Sequence, residues 1–153
     1  MLQDAWAELD SEPAISTLIL SHPYRTEPVG MNSDNWFINA AGVLETSLQP
    51  EALLDTLLTV EQQYGRLRKS DNVGYQDRTL DLDLLLYDDC VLKSEKLLLP
   101  HPEIHRRLFV LAPLAEIIPQ QEHPVLQKGI AELFSALVKD RKQGKIKKIS
   151  WAV

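Results

Sequence analysis

Leu80-Asp81-Leu82-Asp83-Leu84-Leu85-Leu86-Tyr87 is the stretch on which the fold turns. An apolar run this short, bounded by polar sequence, reads as a strand rather than a helix. Successive side chains of a strand face opposite ways, so Asp81 and Asp83 share one face while Leu80, Leu82 and Leu84 share the other. The prediction is a strand with one core face and one doubly acidic face. Neighbouring carboxylates repel, and water or a cation between them relieves the repulsion. Hard oxygen ligands of this kind suit magnesium, which takes one or two carboxylates and completes its octahedron with water and nucleotide phosphates. A solvated strand face accounts for the same pattern.

Upstream, Pro50 suits a first helical position, and Leu53, Leu54, Leu57, Leu58 and Val60 form a buried stripe. Gly65 is the expected stop. Arg66, Arg68 and Lys69 then gather three cations at the helix end, and Arg78 adds a fourth across a loop containing Gly74. Guanidinium groups clamp phosphate oxygens through paired hydrogen bonds, although cations here also complement the helix dipole. Downstream lies Leu99-Pro100-His101-Pro102-Glu103-Ile104-His105-Arg106-Arg107-Leu108-Phe109. Histidine and arginine there can donate hydrogen bonds to a transferring phosphoryl group, though a His-Pro turn is also a common structural device. Pro102 spoils a helical zinc pair from His101 and His105. No serine sits in a strand-turn-helix elbow, Cys90 has no evident partner, and no Walker-type glycine loop occurs.

The rest of the chain supplies scaffold. Leu2, Ala5, Trp6 and Leu9 keep helical spacing, Ala14–Leu20 and Trp36–Thr46 read as strands, and the loop Tyr24–Gly30 lies between them. Prolines 100, 102, 113, 119 and 124 predict brief, sharply ended elements, of which a helix over Val125–Lys139 is the clearest. Lys145–Ile149 alternates and suits an edge strand, where lysines discourage sheet-to-sheet pairing. Helices mixed with hairpin-like strands predict an α+β fold with helices on a mostly antiparallel sheet, ferredoxin-like.

With 153 residues, the chain can bury one good core, so a single domain over 1–153 is expected. A formal charge of -6 argues against nucleic acid as a partner, and no run reaches membrane-spanning length. One cysteine fits a reducing compartment, the cytoplasm. Met1–Asp10 carries acids and no apolar run, so no signal peptide is read there.

Taken together and in order, Arg66-Leu67-Arg68, Arg78-Thr79-Leu80-Asp81-Leu82-Asp83, and Pro100-His101 with Arg107 and Phe109 resemble the 6-hydroxymethyl-7,8-dihydropterin pyrophosphokinases. Tyr24-Arg25-Thr26-Glu27-Pro28-Val29-Gly30 and Phe37-Ile38-Asn39-Ala40-Ala41 extend the likeness, which runs to about Pro119. The resemblance implies ATP as co-substrate and two magnesium ions on Asp81 and Asp83. It implies a closing loop carrying Arg66, Arg68 and Arg78, a nucleotide side with Glu61 and His101, and Arg107 near the phosphates. For the pterin it implies backbone groups of Thr26 and Val29, Asn39 at the polar edge, and Phe37 and Phe109 stacking on the ring. The implied reaction is in-line attack of the pterin hydroxymethyl oxygen on the β-phosphorus of ATP, with AMP leaving.

Two departures shape the expectations. Lys96 stands on the nucleotide side where the family usually has arginine, keeping the charge without the fork. The family's first strand, with its glycine-serine-asparagine turn, does not precede the opening helix. That strand is expected to be encoded upstream, lost from the chain, or replaced through self-association or a partner strand. A catalytically silent pterin- or nucleotide-binding paralogue is the alternative this raises, and a purely structural interaction module a further one.

Overall fold

The first helix, α1 (Leu2–Asp10), buries Ala5 and Leu9, the inner positions of its predicted stripe. The structure is a computed structural model and describes residues 1–26, 37–69, 80–140 and 145–151, with the backbone alone for 65–69. After a turn closed by Ser11, whose hydroxyl donates to the Glu8 carbonyl at 2.6 Å, strand β1 (Ile15–Leu20) follows. The Asp10 carboxylate accepts both the N–H and the hydroxyl of Thr17, at 3.1 and 2.8 Å, and so ties helix to strand.

β1 pairs antiparallel with β4 (Gly42–Thr46), with a register shift between Thr17 and Ile19. Gly42 is required where the Trp6 ring crosses the strand, because a Cβ there would overlap that ring. A second sheet has the order β3-β2-β7, built from β2 (Tyr24–Thr26), β3 (Phe37–Asn39) and β7 (Ile146–Lys148), all antiparallel. β7 occupies the edge, as the lysine-rich tail predicts. A short hairpin joins β5 (Leu92–Lys93) to β6 (Leu98–Leu99), an element the sequence reading lacked. Helices and antiparallel strands thus form an α+β arrangement.

Two apolar clusters carry it. Ala5, Leu9, Ile15, Leu53, Leu57, Val60 and Leu80 form the first, bringing α1, β1 and α2 (Pro50–Lys69) together. The second contains Ala41, Ile104, Leu111, Leu114 and Ile130. It joins a 3-10 turn (Ile104–Arg106) to α3 (Leu108–Ile117) and α4 (Ile130–Val138).

Four expectations change. α2 passes through Gly65 to Lys69, because a helical glycine costs only about 1 kcal/mol and good helix formers follow it. Trp36–Thr46 is not one strand: β3 and β4 belong to different sheets, and the break lies at Ala40 and Ala41. Ser21 forces that break, since its N–H donates to the Ala41 carbonyl while its hydroxyl accepts the Ala41 N–H. α4 begins at Ile130 rather than Val125, because the ring of buried His123 accepts the N–H groups of Val125 and Leu126 and holds them in a turn. Finally, Leu80–Tyr87 forms no strand among the described residues, although its alternation survives. A ladder needs a partner, and here the Leu82 N–H goes to a side chain and the Leu85 carbonyl accepts the His101 N–H.

Candidate active site

Asp81 and Asp83 are exposed, while Leu80 is buried and Leu82 and Leu84 pack on the first cluster. The apolar residues fix the segment and leave both carboxylates facing solvent. Glu61, next to buried Val60 on α2, reaches the same segment: its Oε2 accepts the Leu82 N–H at 2.8 Å. That bond lies between the two aspartates in sequence and anchors the backbone that carries them. Downstream, the cis Leu99–Pro100 peptide precedes His101, whose N–H donates to Leu85 at 2.9 Å. Nδ1 of His101 accepts the Glu103 N–H at 3.1 Å, so a neutral ring carries its proton on Nε2 and has one N–H to offer. Lys96 contacts Asp55 of α2, Nζ to Oδ1 at 2.7 Å, and this hydrogen bond holds its pKa above the ordinary lysine value.

A second group of expected residues gathers on the β3-β2-β7 sheet. Thr26 pairs across the ladder with Phe37, and Tyr24 with Asn39. Thr26 is buried, and its hydroxyl has no hydrogen-bond partner among the described residues. Phe37 is 55% exposed, an open aromatic face beside that hydroxyl. Phe109 stands in the first turn of α3, with the Arg107 guanidinium 5.7 Å from its ring centroid. Arg107 also lies 3.7 Å from Glu103.

Glu116, which the sequence reading missed, connects that helix to the sheet. Its Oε1 accepts the Tyr24 hydroxyl at 2.7 Å and lies 3.8 Å from Lys148 Nζ. Its Oε2 receives the His22 N–H at 3.1 Å and faces His22 Nδ1 at 2.8 Å. Burial alone would raise its pKa, but the hydrogen bonds from His22 and Tyr24, with the Lys148 charge, outweigh it and hold the carboxyl below its ordinary value. The available signal was a lone acid in the apolar run Leu108–Ile118.

The remaining expected residues divide differently. The backbone of Arg66 and Arg68 forms the last turn of α2, and their side chains lie outside the described residues, as do Val29 and Arg78. Among the described residues no three His, Cys, Asp or Glu side chains gather as a metal cage.

A model of the 7,8-dihydro-6-hydroxymethylpterin-pyrophosphokinase family matches residues 1–119. The chain belongs to that family. Three relatives named 2-amino-4-hydroxy-6-hydroxymethyldihydropteridine pyrophosphokinase agree. That of Methylorubrum extorquens is 40% identical over 119 residues, covering 78% of this chain and 73% of its own. The Bacillus subtilis protein is 41% identical over 121 residues, 79% and 71% of the two chains. The Synechocystis protein is 42% identical over 133 residues, 87% and 66%. Family membership makes the chain a pyrophosphokinase, a diphosphotransferase of folate biosynthesis, and does not favour the silent paralogue.

Proposed function

We propose that this chain transfers pyrophosphate from ATP to the hydroxymethyl group of 6-hydroxymethyl-7,8-dihydropterin, releasing AMP. The observation that carries the site assignment is the pair of exposed carboxylates, Asp81 and Asp83, on a segment whose leucines are committed to the core. Two hard oxygen donors, with no third protein ligand gathered beside them among the described residues, fit magnesium, which keeps water and nucleotide phosphates in its shell. Bound there as two ions, it would neutralise phosphate charge as the transfer proceeds.

The protein's own groups divide the remaining work. Glu61 holds the acidic segment through the Leu82 N–H, and His101 offers Nε2–H to a phosphate oxygen. Arg66, Arg68, Arg78 and Arg107 clamp the polyphosphate and stabilise charge that grows in transfer, with Lys96 as a further cation on the nucleotide side. Phe37 and Phe109 stack on the pterin, Asn39 reads its polar edge, and backbone groups of Thr26 and Val29 complete the recognition. The Thr26 hydroxyl, unpartnered among the described residues, supports a polar ligand beside Phe37, since leaving it unpaired costs about 1–3 kcal/mol. Holding the hydroxymethyl oxygen in line with the β-phosphorus supplies the acceleration, and no general base is required of the side chains named.

The same reading takes residues 1–153 as one ferredoxin-like domain acting in the cytoplasm. Its test is an assay with ATP, magnesium and hydroxymethyl-dihydropterin. AMP release that needs all three supports the reading, and neither AMP release nor binding of either ligand would overturn it.

A further inference from the structure

We infer that Glu116 is a positioning residue for the proposed reaction, fixing the gap between Phe109 on α3 and the β3 residues Phe37 and Asn39. The inference rests on the reading of those three side chains as the pterin side of the site.

Phe109 and Glu116 are seven residues apart on α3, close to two full turns, so they project from one face about 10 Å apart along the axis. That helix packs on β2, β3 and β4. Whatever fixes Glu116 against the sheet therefore fixes the height and rotation of Phe109 above it.

Glu116 contacts two stretches of chain that are remote from it in sequence, His22–Tyr24 and Lys148. Oε2 takes both the backbone and the ring of His22, just before β2. Oε1 takes the hydroxyl of Tyr24 within β2 and faces Lys148 of β7. Tyr24 lies directly opposite Asn39 on one side and Lys148 on the other. One cross-sheet row, Asn39-Tyr24-Lys148, thus has two of its three members on a single carboxylate. An apolar residue at position 116 would cover this face without desolvating a charge. A carboxylate with several directed partners instead specifies one distance and one orientation, which a ring-stacking cleft needs.

β7 adds a second consequence. It lies beyond residues 1–119, the span matched by the family, yet it braces β2 through the ladder and through Lys148. Ile149 N–H donates to Pro23, and Trp151 Nε1–H to the Ser21 carbonyl at 3.2 Å, so the tail is pinned along the same loop that feeds Glu116.

The test uses the full chain with Glu116→Gln, Tyr24→Phe and Asn39→Ala, reading KM for each substrate, kcat, pterin Kd and Tm. Tyr24→Phe deletes a single hydroxyl, so it reports even where the glutamine variant does not fold. Glu116→Gln and Tyr24→Phe are expected to raise pterin Kd and KM about tenfold, the effect of one charge-assisted hydrogen bond, with ATP KM held within about twofold. Asn39→Ala tests the site itself. If it weakens pterin binding while Tyr24→Phe and Glu116→Gln leave pterin Kd unchanged, the positioning role is overturned and the site stands. Equal losses toward both substrates, tracking a fall in Tm, would also overturn it as mere scaffold. Unchanged pterin affinity in Asn39→Ala would overturn the site reading and this inference with it.

Discussion

Asp81 and Asp83 are held by leucines one residue away, whereas Phe37, Asn39 and Phe109 are held by contacts between separate segments of the chain. On the acidic side, Leu80, Leu82 and Leu84 sink into the first cluster and the intervening carboxylates are left in solvent. On the sheet side, β2, β3, β7 and α3 each bring one or two residues, and Glu116 spans 94 residues of sequence to reach His22. The acidic pair needs only an outward orientation, which local alternation supplies. Aromatic faces proposed to enclose a flat ring need a defined separation, and only tertiary contacts set a separation.

The comparison breaks first at the aspartates. Asp81→Ala or Asp83→Ala should lower kcat by about a thousandfold and remove magnesium-dependent nucleotide binding, comparable to losing a principal electrostatic group. Tm should hardly move, because both side chains are exposed. Unchanged magnesium-ATP affinity in both variants would end the metal assignment.

Leu80→Ala sharpens the same contrast from beneath. Leu80 is 5% exposed within the first cluster, and its truncation should cost about 2–5 kcal/mol in a denaturant titration. Refolded at low temperature, the variant should regain magnesium-ATP binding, since its carboxylates are intact. A loss of under about 0.5 kcal/mol, typical of surface substitutions, would show that the leucine face does not anchor the segment.

Arg78→Ala should reduce kcat by about a hundredfold while leaving pterin Kd unchanged, because its proposed partner is the polyphosphate. A turnover equal to the parent's would remove Arg78 from the phosphate clamp.

The smallest effect is on pH dependence and belongs to the second cluster's edge. His123 is buried, its Nδ1 accepts two N–H groups, and the His105 ring stands edge-on with centroids 6.4 Å apart. Burial first, and the His105 charge second, hold its pKa below the ordinary 6.5. The unfolded chain therefore takes up this proton before the folded one does, so the contribution is complete above 6.5 and is lost as pH falls from there through the folded pKa. Tm should decline between pH 7 and 5, and His123→Asn should flatten that slope. A slope unaltered by the substitution would place the titration elsewhere.

Much of the proposed site was legible because its candidate residues are clustered along the chain. The aspartate pair is two residues apart, and the helix-end cations and the Pro100-His101 step flank it closely. Where the reading failed, what decided was not something the spacing of apolar residues reports. Gly65 gave no sign that α2 continues to Lys69, and nothing near Ala41 disclosed that Ser21 would break Trp36–Thr46 into strands of two sheets. His123 turned Val125 and Leu126 away from helix through a ring nitrogen, which a periodicity of apolar residues cannot register.

By itself, then, the sequence determined which side chains carry charge, which faces are apolar, and the α+β class, because periods of two and 3.6 residues follow from backbone geometry alone. Tertiary structure alone decided that Leu80–Tyr87 keeps its alternation without a ladder, that β7 joins β2, and that Glu116 ties α3 to the sheet. Alternation is a local property of one chain segment. A hydrogen-bonded pair or a shared carboxylate depends on where a second segment comes to rest.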